Sequence, residues 1–379
     1  MKLSFNGERL KKARTYRGIT VAELAEKINC QRQTVSMYEN NKSNPIDDDV
    51  IKRIAKELGF PIKFFLENGT QSIIGSTYFR ALLTTNKKYR AEQIQKMEFL
   101  AEIYFFLQEY IEFPQLILPD CTGKTPEEAA LLLRETWGIG LKPIENIIYE
   151  VEQHGILVTT FATPTDDIDA FSQMITISGK PFYMIGYSNN KTSAARIHFD
   201  IAHELGHICL HEWSEDVEAL EKQDFKKREE EAHRFAAAFL LPKETYKIDA
   251  TRTPLRIPDY TQLKRKWKVS IQAMIRRSYS LGIISMDDYQ MMIRTLQRRG
   301  LRKEEPLDDE LITASPSLLK TAVMMLLNEK VFTAKEFMDE LSFSYNLSLE
   351  PEEVEYLLNL PRNTLGSNKI LQFSDLRLK

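Results

Sequence analysis

The sequence predicts a mostly helical α+β protein of several units, on three observations. Residues 5–66 are a run of short helical patterns, each with its own stop signal. Residues 155–187 switch to β-branched and aromatic composition, the pattern of a small sheet. Directly after that sheet stands a helical stretch, 196–210, that contains His203-Glu204-Leu205-Gly206-His207, and the rest of the chain is again helical. At 379 residues the chain is long enough for two or three units, each burying its own core.

The net charge of -3 hides an asymmetry, because residues 1–66 carry 13 Lys and Arg against 8 Asp and Glu. A basic end suits an anionic partner, nucleic acid first. The three cysteines, Cys30, Cys121 and Cys209, are widely spaced and include no Cys-x-x-Cys pair, so neither a disulfide framework nor a thiolate zinc site is indicated. No stretch approaches the roughly 20 apolar residues of a membrane span, and the start lacks the apolar core of a signal peptide. A soluble, cytoplasmic protein is the expectation.

The first unit reads as five helices, at 7–16, 21–28, 31–39, 47–58 and 61–66. Gly18 stops the first; Thr20 caps the second, and Glu23 three residues on completes a capping box. Leu10, Ala13, Leu24, Ala25, Ile28, Val35, Ile51, Ile54, Ala55 and Leu58 form the expected core. A tight turn at Asn29-Cys30 joins the second and third helices into a helix-turn-helix (HTH). The strings Ile19-Thr20-Val21-Ala22-Glu23-Leu24-Ala25 and Thr34-Val35-Ser36-Met37-Tyr38-Glu39-Asn40-Asn41-Lys42-Ser43-Asn44-Pro45 resemble the phage-repressor (Xre) family over essentially all of residues 5–66.

That resemblance implies that 31–38 is a recognition helix reading double-stranded operator DNA, that Arg32, Gln33 and Met37 face the bases, and that the chain binds as a homodimer. Arg grips guanine O6 and N7, Gln grips adenine N6 and N7, and Met offers only apolar contact. Thr34, Asn40 and Lys42 are candidates for phosphate contacts. Val21 departs from the family's usual Gln and cannot donate to a phosphate. The alternative is a helical protein-interaction module without DNA binding.

A polar break at 68–72 marks the first boundary, and 88–113 reads as a long helix with a broad apolar face for dimer or interdomain packing. Further helices at 125–137 and 144–154 precede the β-rich stretches 155–161, 173–178 and 181–187, with Gly179-Lys180 as a hairpin turn. An edge strand beside the following helix would offer backbone groups to an extended peptide.

His203 and His207 are separated by about 6 Å along a helix and share a face, so both imidazoles can reach one metal ion. Glu204 is placed to take a proton from an attacking water. Two neutral imidazoles, a third ligand and an open fourth position make a zinc hydrolase site. Five of the six histidines, His198, His203, His207, His211 and His233, lie within 36 residues. His211 is not the expected third ligand, because one more helical turn carries it about 6 Å past His207; bonding a ligand from outside, or capping the helix, suits it better. The better source is the helix at 227–241, where Glu229, Glu230 and Glu231 precede a small-residue face and Pro242 ends the run.

The pairing of His-Glu-Leu-Gly-His with Glu229-Glu230-Glu231-Ala232-His233-Arg234-Phe235-Ala236-Ala237-Ala238-Phe239-Leu240-Leu241-Pro242 is similar to the ImmA/IrrE metallopeptidase family, a zincin-like fold. The resemblance implies one Zn2+ per chain, Glu231 as third ligand with Glu229 the runner-up and otherwise a hydrogen-bond partner of the ligands, and cleavage of a repressor protein in prophage, mobile-element or stress regulation. His233 stands where the family often has Asn, about 200° around the helix from Glu231, a position that turns it away from the metal and leaves it an outer partner at most. The resemblance continues to Gly300 through a basic helical tail whose Lys264, Arg265, Lys266, Lys268, Arg276 and Arg277 form a second nucleic-acid surface or a solvated face.

The expected organisation is an Xre-type domain at 1–68, a helical linker or dimerisation region at 69–122, a zincin-like peptidase domain with helical tail at 123–304, and a small helical unit at 305–379 with helices at 318–328, 334–341 and 351–358. The expected function is a DNA-binding regulator fused to a zinc-dependent peptidase. The rival is a non-catalytic or antitoxin-like regulator whose zincin fold senses or binds a partner.

Overall fold

A computed structural model describes residues 4–45, 47–68, 72–79, 87–162, 169–190, 193–213, 220–302 and 304–366. The first unit is four helices, α1 (Gly7–Tyr16), α2 (Val21–Lys27), α3 (Arg32–Glu39) and α4 (Asp48–Leu58), closed by a 3-10 helix, Ile62–Leu66. The capping box of Thr20 and Glu23 opens α2 as expected. Asn29 adopts φ 55 between α2 and α3, a left-handed conformation that Asn tolerates and that makes the turn tight. The expected core residues are buried, except that Ile51 packs half-exposed at its edge.

After the polar break, in the stretch expected as a helical linker, stands a strand, β1 (Ser72–Phe79), because β3 supplies it with a pairing partner. Residues 69–71 of that break and 80–86 lie outside the described residues. Then comes α5 (Lys87–Leu107), shorter than the predicted 88–113, because the chain turns after Leu107. Its apolar stripe, offered by the sequence for a dimer or an interdomain contact, is consumed within the chain: Phe99 meets Tyr16 of α1 at 5.3 Å between ring centres, and Phe106 meets Phe337 at 5.2 Å.

This central helix also buries charge. Glu102 is fully enclosed; neither carboxylate oxygen has a hydrogen bond, and Lys12 stands 4.0 Å away. Burial lifts its carboxyl to about 7, a shift that the charges of Arg9 and Lys12 only partly offset. Between the ordinary carboxyl value of 4.5 and about 7 the folded chain holds a proton that the unfolded chain has released, so stability falls as pH rises through that window. Glu102→Gln removes the loss, and is expected to raise stability by about 1–3 kcal/mol at pH 8 while changing little at pH 4. Urea midpoints at the two pH values measure it; an equal or lower midpoint at pH 8 would show that the charged carboxylate is compensated.

Two helices, α6 (Pro126–Thr136) and α7 (Ile147–Gln153), lead to β2 (Leu157–Phe161), β3 (Ala170–Ile177) and β4 (Lys180–Ser188). The four strands form one sheet in the order β1-β3-β4-β2. β3 and β4 are an antiparallel hairpin, turned through Ser178 and Gly179 at φ 51 and 79, and β2 runs parallel to β4. The predicted turn thus lies one residue earlier, because left-handed backbone is needed at both central positions and Gly supplies the second at no steric cost.

α8 (Ala194–Leu210) packs on β3 and β4, and α9 (Lys222–Leu240) packs on α8. They approach closely at Gly206, where an added Cβ would stand 3.0 Å from the Ala232 Cα. The Ala face of α9 therefore does what its composition implies: without side-chain bulk, two backbones come together.

α10 (Lys243–Ala250), α11 (Ile257–Trp267), α12 (Ile271–Ser280) and α13 (Met286–Arg298) complete the middle of the chain. In the basic tail Arg265, Lys266 and Arg276 are exposed, as a solvated face would be, but two residues are occupied in structure. Lys264 is buried against Glu305 at 2.9 Å and Asp308 at 2.6 Å, and Arg277 is buried with its guanidinium on Glu127. These two are neither a nucleic-acid surface nor a solvated face.

The last helices are α14 (Leu318–Asn328), α15 (Ala334–Ser344) and α16 (Pro351–Leu357), close to the predicted spans. They tie the two ends of the molecule together. Tyr16 and Arg17 both bond the Glu353 carboxylate, Glu67 accepts from Ser348, and Glu152 accepts the Ser317 and Leu318 N–H groups that open α14. Among the described residues no helix is long and apolar enough to cross a membrane.

A candidate metal centre and a DNA-facing helix

α8 carries His203, Glu204 and His207, all fully buried, one turn or less apart. His203 Nε2 and His207 Nε2 approach to 3.1 Å. The carboxylate that completes the triangle is Glu229: its Oε2 is 3.3 Å from His203 Nε2 and its Oε1 is 3.2 Å from His207 Nε2. Ligands about 2.0–2.1 Å from a tetrahedral zinc stand about 3.3–3.4 Å from one another. The imidazole pair and the two carboxylate contacts, each through its own oxygen, fall near that spacing, so the donor set fits the ion.

Electrostatics agree. Burial drives the His203 imidazole down to about 3, into the neutral form a metal requires. Burial pushes the Glu229 carboxyl up, but hydrogen bonds with His203 and His207 outweigh it and hold the group well below its ordinary value.

Glu231, expected in that place, faces elsewhere. Its Oε2 lies 3.3 Å from His211 Nε2 and its Oε1 3.9 Å from Lys227. Two residues along a helix turn a side chain by about 200°, so the two carboxylates cannot serve one point. His233 is one turn beyond Glu229 and shares its face. Its Nδ1 donates to the Glu229 carbonyl at 2.8 Å and its ring meets that of His203 edge-on at 4.5 Å. Ligand atoms of His203, Glu229 and His233 all fall within 4.8 Å of one another. The 200° separation from Glu231 is the reason to expect His233 away from the metal; because Glu229 and not Glu231 faces the imidazoles, the same separation brings His233 to the cluster.

His211 closes α8 at the C-cap position, and its Nδ1 lies 2.9 Å from Nδ1 of His207. Burial holds its imidazole down to about 2. It orients His207, as a capping or outer partner should. His198 stands apart, its Nε2 3.3 Å from Thr313 Oγ1.

Ser172 was not legible beforehand. Its Oγ donates to Glu204 Oε2 at 2.5 Å from the middle of β3, and a lone Ser in a buried strand carries no signal of that role. Beside the centre opens a cleft of ≈ 510 Å³, lined by Asp120, Lys124, His211 and Glu231 among others.

In the first unit, Val35 and Tyr38 anchor α3 to the core, while Arg32, Gln33, Asn40 and Lys42 are exposed and Thr34 and Met37 half-exposed. Glu39 is held by a two-pronged contact from Arg14, which fixes the end of the helix. The Asn40 amide donates to the Ser36 carbonyl at 2.7 Å. The face expected to meet DNA thus points to solvent.

Family comparison agrees with both halves. Residues 10–65 match a helix-turn-helix family model, and residues 151–279 match that of the IrrE N-terminal-like domain, a peptidase family. No curated protein matches the chain. The chain joins an Xre-like helix-turn-helix DNA-binding domain to an ImmA/IrrE-type peptidase domain.

Proposed function

We propose that the chain is an operator-binding regulator and a zinc-dependent peptidase that cleaves a repressor protein in the cytoplasm. The observation that supports the peptidase is the triangle of His203, His207 and Glu229 with Glu204 beside it. In this reading Glu229, in place of Glu231, is the third ligand of one zinc ion. When bound, zinc acidifies water and polarises the scissile carbonyl. Glu204 accepts the proton of the attacking water and returns it to the leaving amine. Ser172 donates to one oxygen of that carboxylate and so holds its orientation. His211 and His233 steady the rings of His207 and His203.

Comparing new protein N-termini in cells carrying the wild type and Glu204→Gln tests this half. A repressor fragment that appears only with the wild type is expected, and identical N-termini in both would overturn the reading.

The exposed face of α3 supports the DNA half. Arg32→Ala and Gln33→Ala are each expected to relax operator preference by about 1–3 kcal/mol, while Lys42→Ala weakens all sequences alike and flattens the salt dependence. Binding selection from random duplexes reads both, and equal affinity for all duplexes would count against a sequence-specific regulator.

A further inference from the structure

β3 is the strand beside the proposed general base, through Ser172 and Glu204. Within the residues matched to the peptidase family, 151–279, the sheet runs β2, β4, β3, which leaves β3 as an edge. A strand edge presents unpaired N–H and C=O groups, and an extended peptide adds to it as one more strand. Here that edge is taken. β1, which lies outside the matched residues, pairs antiparallel with β3 from Ser72↔Ile177 to Phe79↔Phe171, and sets Tyr78 directly opposite Ser172.

We propose that the β3 edge is where the peptidase lays down its substrate, and that β1 occupies it in cis as a substrate-like strand. The inference rests on the peptidase reading above and adds its regulation: the β3 edge accepts a peptide only after β1 leaves. Two features make β1 displaceable. The ladder is interrupted between Ile74 and Thr77, and a strand held at an outer edge gains pairing from one side alone. In the chain β1 stands between the 3-10 helix of the DNA-binding unit and α5. The occupant names the substrate class: an extended segment rich in β-branched and aromatic residues, as in Ser72-Ile73-Ile74-Gly75-Ser76-Thr77-Tyr78-Phe79.

The test uses the full chain, zinc-loaded, in a Glu204→Gln background so that nothing is cut. The probe is a fluorescent peptide with the sequence of residues 72–79. Thr77→Pro/Tyr78→Pro removes whichever of two consecutive N–H groups bonds β3, and is expected to bind the probe about tenfold more tightly than the parent. Hydrogen exchange at the amides of 171–177 is expected to quicken in the same variant. Equal probe affinity, or unchanged exchange, overturns the proposal.

A second variant works in the opposite direction and does not depend on the prolines being tolerated. Ile73→Cys/Thr176→Cys joins two directly paired positions. Oxidised, it should exclude the probe, and dithiothreitol should return it to the parent's affinity; binding by the locked form overturns cis occupancy. Because every readout is binding or exchange, a wild-type chain that cleaves nothing would sink the peptidase reading and leave this result separate.

Discussion

Glu229→Ala is expected to empty the zinc site of a chain that stays folded, while Glu231→Ala is expected to keep it. Glu229 supplies the only carboxylate within 3.3 Å of both imidazole nitrogens among the described residues, and removing it leaves two ligands. Glu231 touches His211, an outer partner of His207, and loss of such a contact costs about 10–100-fold in metal affinity. Glu229→Ala should fall well beyond that range, and His233→Ala within it. Metal content after dialysis, followed by chelator competition, measures all three variants, with thermal unfolding as the control for fold. Zinc retained by Glu229→Ala and lost by Glu231→Ala would return the ligand to Glu231.

The difference between those two glutamates marks where the sequence stops being legible. His203, Glu204 and His207 are readable because their geometry is local: spacing along one helix puts the imidazoles on one face. The same holds for Thr20 and Glu23, whose capping box closes within a single turn. The third ligand depends on the rotation of α9 against α8, which only tertiary packing sets. A signal for it was nevertheless present. With Ala232 packed on Gly206, Glu229 lies about 60° from the contact face and Glu231 about 100° from it on the other side. The small-residue face, read as a phase and not only as permission for close approach, selects Glu229.

Ser172 and β1 are harder. Ser172 acts through a contact across the sheet to α8, and nothing in its neighbours distinguishes it from any strand serine. β1 follows a polar break and is cut by Gly75 and Ser76, so its two short β-prone ends do not add up to a strand until β3 supplies the partner. The apolar stripe of α5 was visible, but its partners in α1, the sheet and the last helices are distant in sequence.

Glu204→Gln is expected to lower proteolysis by about 100- to 10,000-fold while zinc content, fold and operator binding stay at wild-type levels. The amide keeps the shape of the carboxylate and still accepts from Ser172, so the local packing has no reason to change. It cannot take a proton from water. His207→Ala is expected to abolish proteolysis by a different route, with loss of metal, because its Nε2 is one corner of the donor triangle. The two variants therefore separate chemistry from metal binding. They also separate the peptidase from its rival, a regulator whose zincin fold only senses a partner. That rival needs the fold and tolerates the loss of a base. If cells with Glu204→Gln control the target promoter as the wild type does, with repressor levels unchanged on induction, regulation runs through binding alone. A repressor that persists only in the Glu204→Gln cells assigns control to the cut, and places Glu204 at the step that commits it.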